Sequence, residues 1–442
     1  MKRSPTFLLV VLFLLGSGAA SAQGDMYAAR RQALMEAMDG DFAVLFSDAT
    51  QGDFNKTFYY FTGIKDPGVV LVLAPGAEVE EALFSPSGRW EQASVRATAG
   101  AFPSQDLSGF LTGLARERET AHVPFRILDS VQETGRSLSL LSTLENLDHT
   151  VAEMRILKDP HEIEFLRQAC QITSEGLNHT FRGVEPGLQE ADLAVLLESY
   201  FESKGSPGSS FLQAASGPNS TNVHFGAGER RLEEGDLIVF DVGAWWEDYT
   251  ADISRTIPVS GRFSKEQAEI YTVVLNSQKA AIDLMKPGVD MAAVRQKAQD
   301  VLMDGLHDLG LVLDTESEVQ RRFFIAHGYY HFIGLDIHDV WSEFTRSPGE
   351  QVYEPGMIMT MEPGLYVPAD RLIAALNGLG SSPEDAEMRE FLEAIRPVYE
   401  KYVNIGVRIE DDVLITRDGN EILTSAVPKE IEKIEAMMRG GG

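Results

Sequence analysis

The segment Gly235-Asp-Leu-Ile-Val-Phe-Asp241-Val-Gly243, with Asp252-Ile-Ser-Arg-Thr256 close behind it, decides the fold that this sequence predicts. Residues 237–240 are β-formers that end on a carboxylate, and a second β-prone run carries Asp252. We therefore predict a β-hairpin with an aspartate on each strand. Two facing carboxylates repel each other unless a positive charge lies between them, and a divalent cation is the usual solution.

A second segment repeats this pattern. Gly356-Met-Ile-Met-Thr-Met-Glu362-Pro-Gly364 has the same spacing of glycine, acid and glycine, and a later predicted strand, residues 406–415, supplies Glu410 as the counterpart of Asp252. Each β region follows two predicted helices, and the second β region is expected to resume near Phe323. This order indicates an internal duplication, which would bring the carboxylates to a shared pseudo-twofold axis suited to two metal ions.

The helices in both halves are predicted from their start signals. Asp159-Pro160-His161-Glu162 combines an N-cap aspartate, a proline at the first helical position and a capping-box glutamate. The other three predicted helices span residues 189–203, 264–285 and 290–309. Cys170 falls on the apolar stripe of the first helix, so we predict that it is a core residue.

Three of the nine histidines, His327, His331 and His338, fall within 12 residues. A lone histidine is most often a hydrogen-bonded core residue, but a cluster beside duplicated acids favours metal chemistry. The candidate ligands are Asp241, Asp252, His331, Glu362 and Glu410. Their four carboxylates balance two dications, and an oxygen-rich set suits Mn²⁺ or Co²⁺, with Zn²⁺ as an alternative.

The N-terminus reads as a signal peptide, residues 1–22, with a basic start, an apolar run and Ala20-Ser21-Ala22 before the cleavage point. We expect an exported protein, periplasmic or secreted, without a membrane anchor after cleavage. The formal charge of −29 becomes −31 when Lys2 and Arg3 leave with the signal. Such acidity argues against nucleic acid and anionic membranes as partners. The single cysteine excludes an intrachain disulfide.

Two domains are predicted in the remaining chain. Residues 25–150 combine a helix over 27–38 with strands over 42–46, 58–61 and 68–73, which is typical of a small α/β domain. It holds no cluster of histidine, cysteine and acids, so we assign to it packing, oligomerisation or the wall of a cleft. A boundary near Asp148 separates it from residues 151–442, which carry every candidate ligand.

The chain resembles the metallopeptidases of the pita-bread fold, and most closely the Xaa-Pro aminopeptidases (aminopeptidase P) and prolidases. The resemblance covers nearly all of the chain after residue 22, including Phe58-Tyr-Tyr-Phe-Thr-Gly63, Arg155-Ile-Leu-Lys158 and all ligand motifs in order. It implies an α/β (α+β) fold class: a small N-terminal α/β domain followed by a duplicated pita-bread catalytic domain. It also implies a dinuclear exopeptidase that cleaves the Xaa-Pro bond at the N-terminus of proline-containing peptides.

The resemblance further assigns roles to individual residues. Asp252 and Glu410 would bridge the two metals, Mn²⁺ before Co²⁺ or Zn²⁺, and Glu362 would also move the proton. His224 would stabilise the tetrahedral intermediate, and His338 would contact the scissile peptide. His327 would line the proline pocket. Arg408, two residues from Glu410 on the same predicted strand, would orient a ligand carboxylate.

Several alternatives stay open. Segment 367–405 is longer than in compact bacterial aminopeptidases, so an Xaa-Pro dipeptidase (prolidase) is the alternative enzyme, and the segment is either a lid or a solvated surface helix. A non-catalytic peptide-binding protein of the same fold is the alternative outside enzymes, although all five ligands are present. Arg346 is a candidate carboxylate-binding residue. A homo-oligomer, either a dimer or a tetramer, is expected, and Trp90 is the candidate for the tryptophan that caps the pocket from a neighbouring subunit in some members of the family.

Overall fold

The structure is a computed structural model that describes residues 19–48, 54–87, 100–125, 143–340 and 351–439. The chain divides into two compact units, Met1–Val151 and Ala152–Gly442. Whether residues 25–150 and 151–442 fold as separate domains stays a prediction. The first 18 residues of the expected signal peptide, and both Trp90 and Arg346, lie outside the described residues. Among the described helices, none has the length and apolar character that a membrane crossing requires.

A six-stranded sheet forms the described centre of the first unit. Its strands are β1 (Phe42–Phe46), β2 (Val70–Leu73), β3 (Glu81–Ser85), β4 (Gly100–Pro103), β5 (Thr120–Val123) and β6 (Thr143–Asn146), in the order β4-β3-β2-β1-β5-β6. Strands β1, β2 and β3 pair antiparallel, and the other neighbours pair parallel. The helices in the described part of this unit are α1 (Ala19–Ala37), α2 (Lys56–Thr62) and α3 (Leu107–Leu114). This mixed sheet agrees with the predicted α/β class.

Residues 58–61 are helical, so the strand predicted there is wrong. They lie in α2, where the Asn55 side chain accepts a hydrogen bond from the Phe58 N–H at 3.0 Å. Gly63 ends the helix with a φ of 69°. Aromatic residues favour strands by propensity, but both helix ends are capped and all four of these side chains are buried. Capping and burial therefore outweigh intrinsic preference.

The second unit shows helices followed by strands twice, as the sequence predicts. After α4 (Asp148–Ile156), the first set is α5 (Pro160–Phe181), α6 (Glu190–Ser203), β7 (Ser209–Ser216), β8 (Leu237–Trp246), β9 (Tyr249–Thr250) and β10 (Ile253–Pro258). The second set is α7 (Lys265–Ile282), α8 (Met291–Asp308), α9 (Glu318–Phe324), β11 (Ile358–Met361), β12 (Gly364–Val367), α10 (Arg371–Gly378), α11 (Pro383–Tyr399), β13 (Ile405–Arg408), β14 (Asp411–Ile415), β15 (Asn420–Ile422) and α12 (Ile431–Met438).

The described strands of the second unit form three small sheets. Strands β7, β8 and β10 form one antiparallel sheet, to which β9 adds beside β8, while β11, β14 and β15 form a second and β12 and β13 a third. The capping box predicted at Asp159 is confirmed, since its side chain accepts from the N–H of Glu162 and the Glu162 side chain accepts in return. Cys170 is fully buried, as predicted for a core residue.

Two predictions for the second half are wrong in detail. Phe323 lies in α9, which the Ser317 side chain caps by accepting from the N–H of Gln320, and β structure resumes with β11. The strand predicted over residues 406–415 is two strands, since β13 pairs with β12 and β14 pairs with β11. The chain changes partner at Glu410, so Arg408 and Glu410 do not share one strand face.

The hairpin of β8 and β10 closes tightly at Gly243. Pairing sets Asp241 opposite Ser254, and a β-carbon on Gly243 would lie 1.7 Å from the carbonyl oxygen of Ala251. The prediction of an aspartate on each strand is right for Asp241 and wrong for Asp252, which immediately precedes β10. Outside the ladder, the Asp252 N–H is available to other partners, and this position matters for the site below.

We expect Gly243→Ala to lower the free energy of unfolding by about 3 kcal/mol, because the added methyl group overlaps a backbone carbonyl in a packed hairpin. Gly235→Ala is the matched control, since its β-carbon would have no atom within 4 Å. That change should stay within about 0.5 kcal/mol. Thermal or urea unfolding measures both variants, and equal stabilities would contradict the tight closure.

Candidate metal centre

The five predicted ligands all lie in the second unit, four of them at strand ends or in loops and Asp241 within a strand. Asp241 is in β8, Asp252 precedes β10, His331 lies between α9 and β11, Glu362 follows β11, and Glu410 lies between β13 and β14. Backbone hydrogen bonds hold two of these ligands: the Glu410 contact joins the two halves, and the Glu362 contact lies within the second half. The N–H of Glu410 donates to the carbonyl of Ser254 at 3.0 Å, and that of Glu362 donates to the carbonyl of Tyr329 at 2.9 Å. Distant segments of the chain therefore meet at the ligands.

Carboxylate oxygens surround the His331 imidazole. Its Nε2 lies 3.4 Å from Asp252 Oδ2, 3.6 Å from Glu362 Oε1 and 3.9 Å from Glu410 Oε1. The ligand atoms of Asp252, His331 and Glu410 all lie within 4.8 Å of one another, and all three residues are buried. The structure thus brings four of the predicted ligands to one place.

Asp241, the fifth, joins this group through a hydroxyl that the sequence-based prediction missed. The Oγ of Ser254 lies 2.8 Å from Asp241 Oδ1 and 2.8 Å from Glu410 Oε2. It also accepts a hydrogen bond from Arg408 Nε at 2.8 Å. A hydroxyl carries one proton, so it cannot donate to both carboxylates at once. One of these two buried oxygens is therefore left without that donor.

The orientation of His331 leaves its Nε2 directed at the carboxylates. Nδ1 lies 3.0 Å from the carbonyl oxygen of Phe332, which can only accept, so the proton of a neutral ring sits on Nδ1. The backbone N–H of His331 donates to Thr360 Oγ1 at 3.1 Å, and its carbonyl accepts from the Thr360 N–H at 2.9 Å. A lone pair fixed among negative charges suits a bound cation.

The carboxylates lack enough partners of their own. Within the described residues, Asp252 Oδ1 and Glu410 Oε1 are buried and accept no hydrogen bond. Burial and the charges of Asp241, Asp412 and Glu362 raise the pKa of Asp252 well above its ordinary value. Burial and the charges of Asp252, Glu362 and Asp241 do the same to the pKa of Glu410. This donor set fits divalent cations, because a cation relieves both the repulsion and the unmet acceptors.

Arg408 is the cation that the structure places beside these acids. Its Nη2 forms an ion pair with Asp241 Oδ2, as expected for a residue that orients a ligand carboxylate. Its Nη1 donates to the Val223 carbonyl at 2.9 Å and to the Tyr366 hydroxyl at 2.8 Å. Arg408 therefore links a ligand to the residue before His224.

Tyr366 extends this network to the predicted proline pocket. Its hydroxyl lies 3.0 Å from Nε2 of His327, whose Nδ1 lies 2.6 Å from the Gly328 carbonyl and 3.6 Å from Glu362 Oε2. Burial, and then the charge of Arg408, lower the pKa of His327 to about 4, so the ring is neutral at pH 7. The sequence-based prediction missed Tyr366, although its position two residues after Gly364 could have indicated a side chain near the site.

His224 and His338 are exposed, unlike His331. The rings of His338 and His331 have centroids 4.2 Å apart. Partial burial, followed by the charges of His331 and His224, lowers the pKa of His338 to about 4. His331 is thus buried among the acids, whereas His224 and His338 are accessible to a substrate.

Asp412 also escaped the sequence-based prediction. Its Oδ2 accepts from the Asp252 N–H at 3.0 Å and from the Cys170 thiol at 3.2 Å, and it holds the backbone of a candidate ligand in place. Burial and then the Asp412 charge raise the pKa of Cys170, which keeps it a thiol and a donor. No nearby sequence signal connects these three residues, because the contacts join segments far apart in the chain.

The sequence profile of metallopeptidase family M24 matches residues 164–417, more than half of the chain. This chain belongs to metallopeptidase family M24. It is therefore a metal-dependent hydrolase, and divalent metal belongs to its site. Its fold is the pita-bread fold of this family, as the resemblance predicted.

Two of the relatives compared below match almost the whole chain, and a third matches two thirds of it. Xaa-Pro aminopeptidase of Escherichia coli is 31% identical, over 92% of this chain and 96% of its own length. The human Xaa-Pro dipeptidase is 33% identical, but over 66% of this chain and 61% of its own length. The structure of aminopeptidase PepP from Pseudomonas aeruginosa superposes with a TM-score of 0.78 and 30% identity, covering 95% of this chain and 98% of that one.

We expect Asp252→Asn to raise the thermal midpoint of the metal-free protein by a few degrees, because it removes one of several repelling buried charges. Added Mn²⁺ should stabilise the unchanged protein and stabilise this variant far less. Asp411→Asn is the control. Asp411 is paired with Arg255 and Lys429, so its loss should destabilise by about 3 kcal/mol. A metal-free Asp252→Asn protein that is equally destabilised would contradict this account.

Proposed function

We propose that this protein is a divalent-metal-dependent exopeptidase that hydrolyses the Xaa-Pro bond at the N-terminus of proline-containing peptides. The observation that carries the proposal is the buried group of Asp252, His331 and Glu410 in a chain of family M24. Its end-to-end similarity to an Xaa-Pro aminopeptidase supports the substrate class. A further relative with a solved structure, aminopeptidase P of Escherichia coli, was captured with the inhibitor Pro-Leu.

The residues that would hold two divalent ions are Asp241, Asp252, His331, Glu362 and Glu410, and Asp252 and Glu410 would be shared between the ions, as the family resemblance implies. When bound, divalent cations supply Lewis acidity, which favours hydroxide over water and polarises a carbonyl. Mn²⁺ is the proposed ion because four of the five ligands offer oxygen, and Co²⁺ or Zn²⁺ are the alternatives. Arg408 keeps the Asp241 carboxylate in place for this purpose.

Glu362 is proposed to move the proton. Its side chain is 17% exposed, whereas those of Asp241, Asp252 and Glu410 are 11%, 5% and 2% exposed. It is thus the ligand carboxylate that solvent and substrate reach most easily. A carboxylate in that place can accept a proton from the attacking water and deliver it to the leaving nitrogen. The nitrogen of an Xaa-Pro bond carries no hydrogen, so it must be protonated to depart.

The accessible histidines are proposed to act on the substrate itself. An imidazole can donate an N–H to the charge that develops on the carbonyl oxygen, the role proposed for His224. His338 is proposed to contact the scissile peptide, and its lowered pKa keeps it neutral at pH 7. His327, held by Tyr366, is proposed to line the proline pocket.

Aminopeptidase activity is proposed ahead of dipeptidase activity, because the aminopeptidase relative matches over nearly its full length and the human dipeptidase over 61%. The segment that left the question open, residues 367–405, contains α10 and α11. A non-catalytic peptide-binding role is disfavoured, since all five ligands are present and four already surround one site.

Export, assembly and partners complete the proposal. The basic start, apolar run and small residues of segment 1–22 support export to the periplasm or the medium. A homo-oligomer, either dimer or tetramer, is proposed on the family resemblance. The net charge supports the absence of nucleic acid and anionic membrane among its partners.

The direct test uses residues 23–442 loaded with Mn²⁺, Co²⁺ or Zn²⁺ and compares an Xaa-Pro-Yaa tripeptide, an Xaa-Pro dipeptide and an Xaa-Ala-Yaa control peptide. We expect release of the first residue from the tripeptide and little cleavage of the alanine control. Cleavage of the dipeptide alone would show a prolidase. Two bound ions without any cleavage would show the non-catalytic alternative.

Glu362→Gln is the matched control for this assay, since it keeps the volume and removes the base. We expect kcat to fall about 10²- to 10⁴-fold, the usual contribution of general acid–base catalysis. Metal content is measured on the same sample, because Glu362 is also a proposed ligand. A nearly unchanged kcat would contradict the role of Glu362.

A further inference from the structure

A cluster of three buried charged side chains joins the histidine loop, which we define as residues 331–339, to the segment that carries Arg155 and Lys158. They are Arg155, Lys158 and Asp339, which we call the ion cluster, and their side chains are 6%, 0% and 1% exposed. Arg155 Nη2 pairs with one Asp339 oxygen, and Lys158 Nζ lies 2.8 Å from the other. None of the three is among the proposed ligands or substrate-contacting residues.

Stability alone is a weak explanation for such a cluster. Removing charges from water costs several kcal/mol per ion, and a buried ion pair often gains no more than well-packed apolar side chains would. Here the attraction is strong enough to keep Asp339 ionised, because the charges of Arg155 and Lys158 outweigh burial and lower its pKa. A cluster of this kind instead fixes a geometry that apolar packing would leave less defined.

The histidine loop is shaped around the ion cluster. A β-carbon on Gly334 would lie 2.3 Å from Asp339 Oδ2 and 3.1 Å from Lys158 Cε. Only glycine therefore fits at this position of the loop beside the ion pair. The Gly334 carbonyl accepts from the N–H of Thr250 at 3.1 Å, which ties the loop to β9. Arg155 Nη2 also lies 2.7 Å from Asp336 Oδ2, a second point within the loop.

One backbone carbonyl connects the ion cluster to the ligand histidine. The Phe332 carbonyl accepts from the Asp339 N–H at 2.9 Å and from His331 Nδ1 at 3.0 Å. Asp339, which pairs with Arg155 and Lys158, therefore also donates to the Phe332 carbonyl that fixes the His331 tautomer. His338 directly precedes Asp339 in the chain, so the ion pairs of Asp339 also restrict the position of the His338 ring.

The ion cluster is also tied to the strand that leads to Glu362. The Lys158 N–H donates to the Gly356 carbonyl at 2.9 Å, and Gly356 begins the turn into β11. The segment that carries both cations thus contacts the loop with His331 and the turn that precedes the Glu362 strand. It is placed to set their relative position.

We propose that the ion cluster is a positioning device, in which Arg155 and Lys158 act through Asp339 to fix His331 and His338, and so set the metal affinity and turnover of the site. This inference rests on the proposed function for its turnover part and on the metal site alone for its affinity part. The three residues are positioning residues, since none of them is a proposed ligand or a proposed substrate contact.

The test is Lys158→Met in the chain of residues 23–442. Calorimetric titration of the metal-free protein gives the Mn²⁺ dissociation constant, and hydrolysis of the Xaa-Pro-Yaa tripeptide gives kcat and KM. We expect the dissociation constant to rise and kcat to fall, each about 10- to 100-fold, as for other groups that orient metal ligands. KM should change little, because no substrate contact is removed.

Arg31→Met is the matched control. Arg31 is also a fully buried cation paired with one carboxylate, Glu81, at 3.1 Å, and it lies in the first unit. We expect a similar loss of thermal midpoint with unchanged Mn²⁺ affinity and kcat. If Lys158→Met behaves in the same way, losing stability but keeping affinity and kcat, the ion cluster is merely structural and the proposal is overturned.

Asp339→Asn provides the second variant, should Lys158→Met fail to fold. It keeps the side-chain size and one acceptor oxygen, removes the charge, and should show the same losses in affinity and kcat. Unchanged values in that variant would equally overturn the proposal. If the unchanged protein binds Mn²⁺ but cleaves no tripeptide, the proposed function fails, while the affinity comparison still decides the positioning role.

Discussion

Mutual repulsion among buried carboxylates is the constraint on which this structure depends. Asp252, Glu362 and Glu410 come together around one imidazole and Asp241 joins them through Ser254, in a region where low dielectric strengthens every like-charge interaction. Such an arrangement lowers the free energy of unfolding, and it persists because hydrogen bonds and ion pairs from the rest of the unit hold the acids in place. The same repulsion creates the affinity for divalent cations, since only a concentrated positive charge satisfies all of these oxygens.

The supports come from both halves of the duplicated unit. Ser254 lies between an acid of the first half and one of the second, and Arg408 crosses from the second half to Asp241 in the first. Asp412 in β14 holds the backbone of Asp252. Each half is thus completed by the other. Asp252 and Glu410 lie next to strands rather than inside them, so their backbone N–H groups are available for contacts outside the ladder.

The sequence predicted the features that local chemistry controls. The glycine and acid spacing around Asp241 recurs around Glu362, and the capped start at Asp159 lies where expected. Other features depend on distant partners. The aromatic residues 58–61 become helical through their caps and burial, and the chain changes strand partner at Glu410. Ser254 and Tyr366 both contact Arg408, which lies 154 and 42 positions away from them. A single sequence does not show which distant residues come into contact, so these contacts could not be predicted from it.

The central claim is that the two halves of the duplicated unit form one site for two metal ions. A crystal of the Mn²⁺-loaded protein, with diffraction recorded at the manganese absorption edge, tests this claim most directly. The account predicts two anomalous peaks per chain, both in contact with Asp252 and Glu410, with His331 bound to one of them through Nε2. A single peak, or peaks away from Asp252 and Glu410 while these acids remain bound only to Ser254 and Asp412, would contradict it.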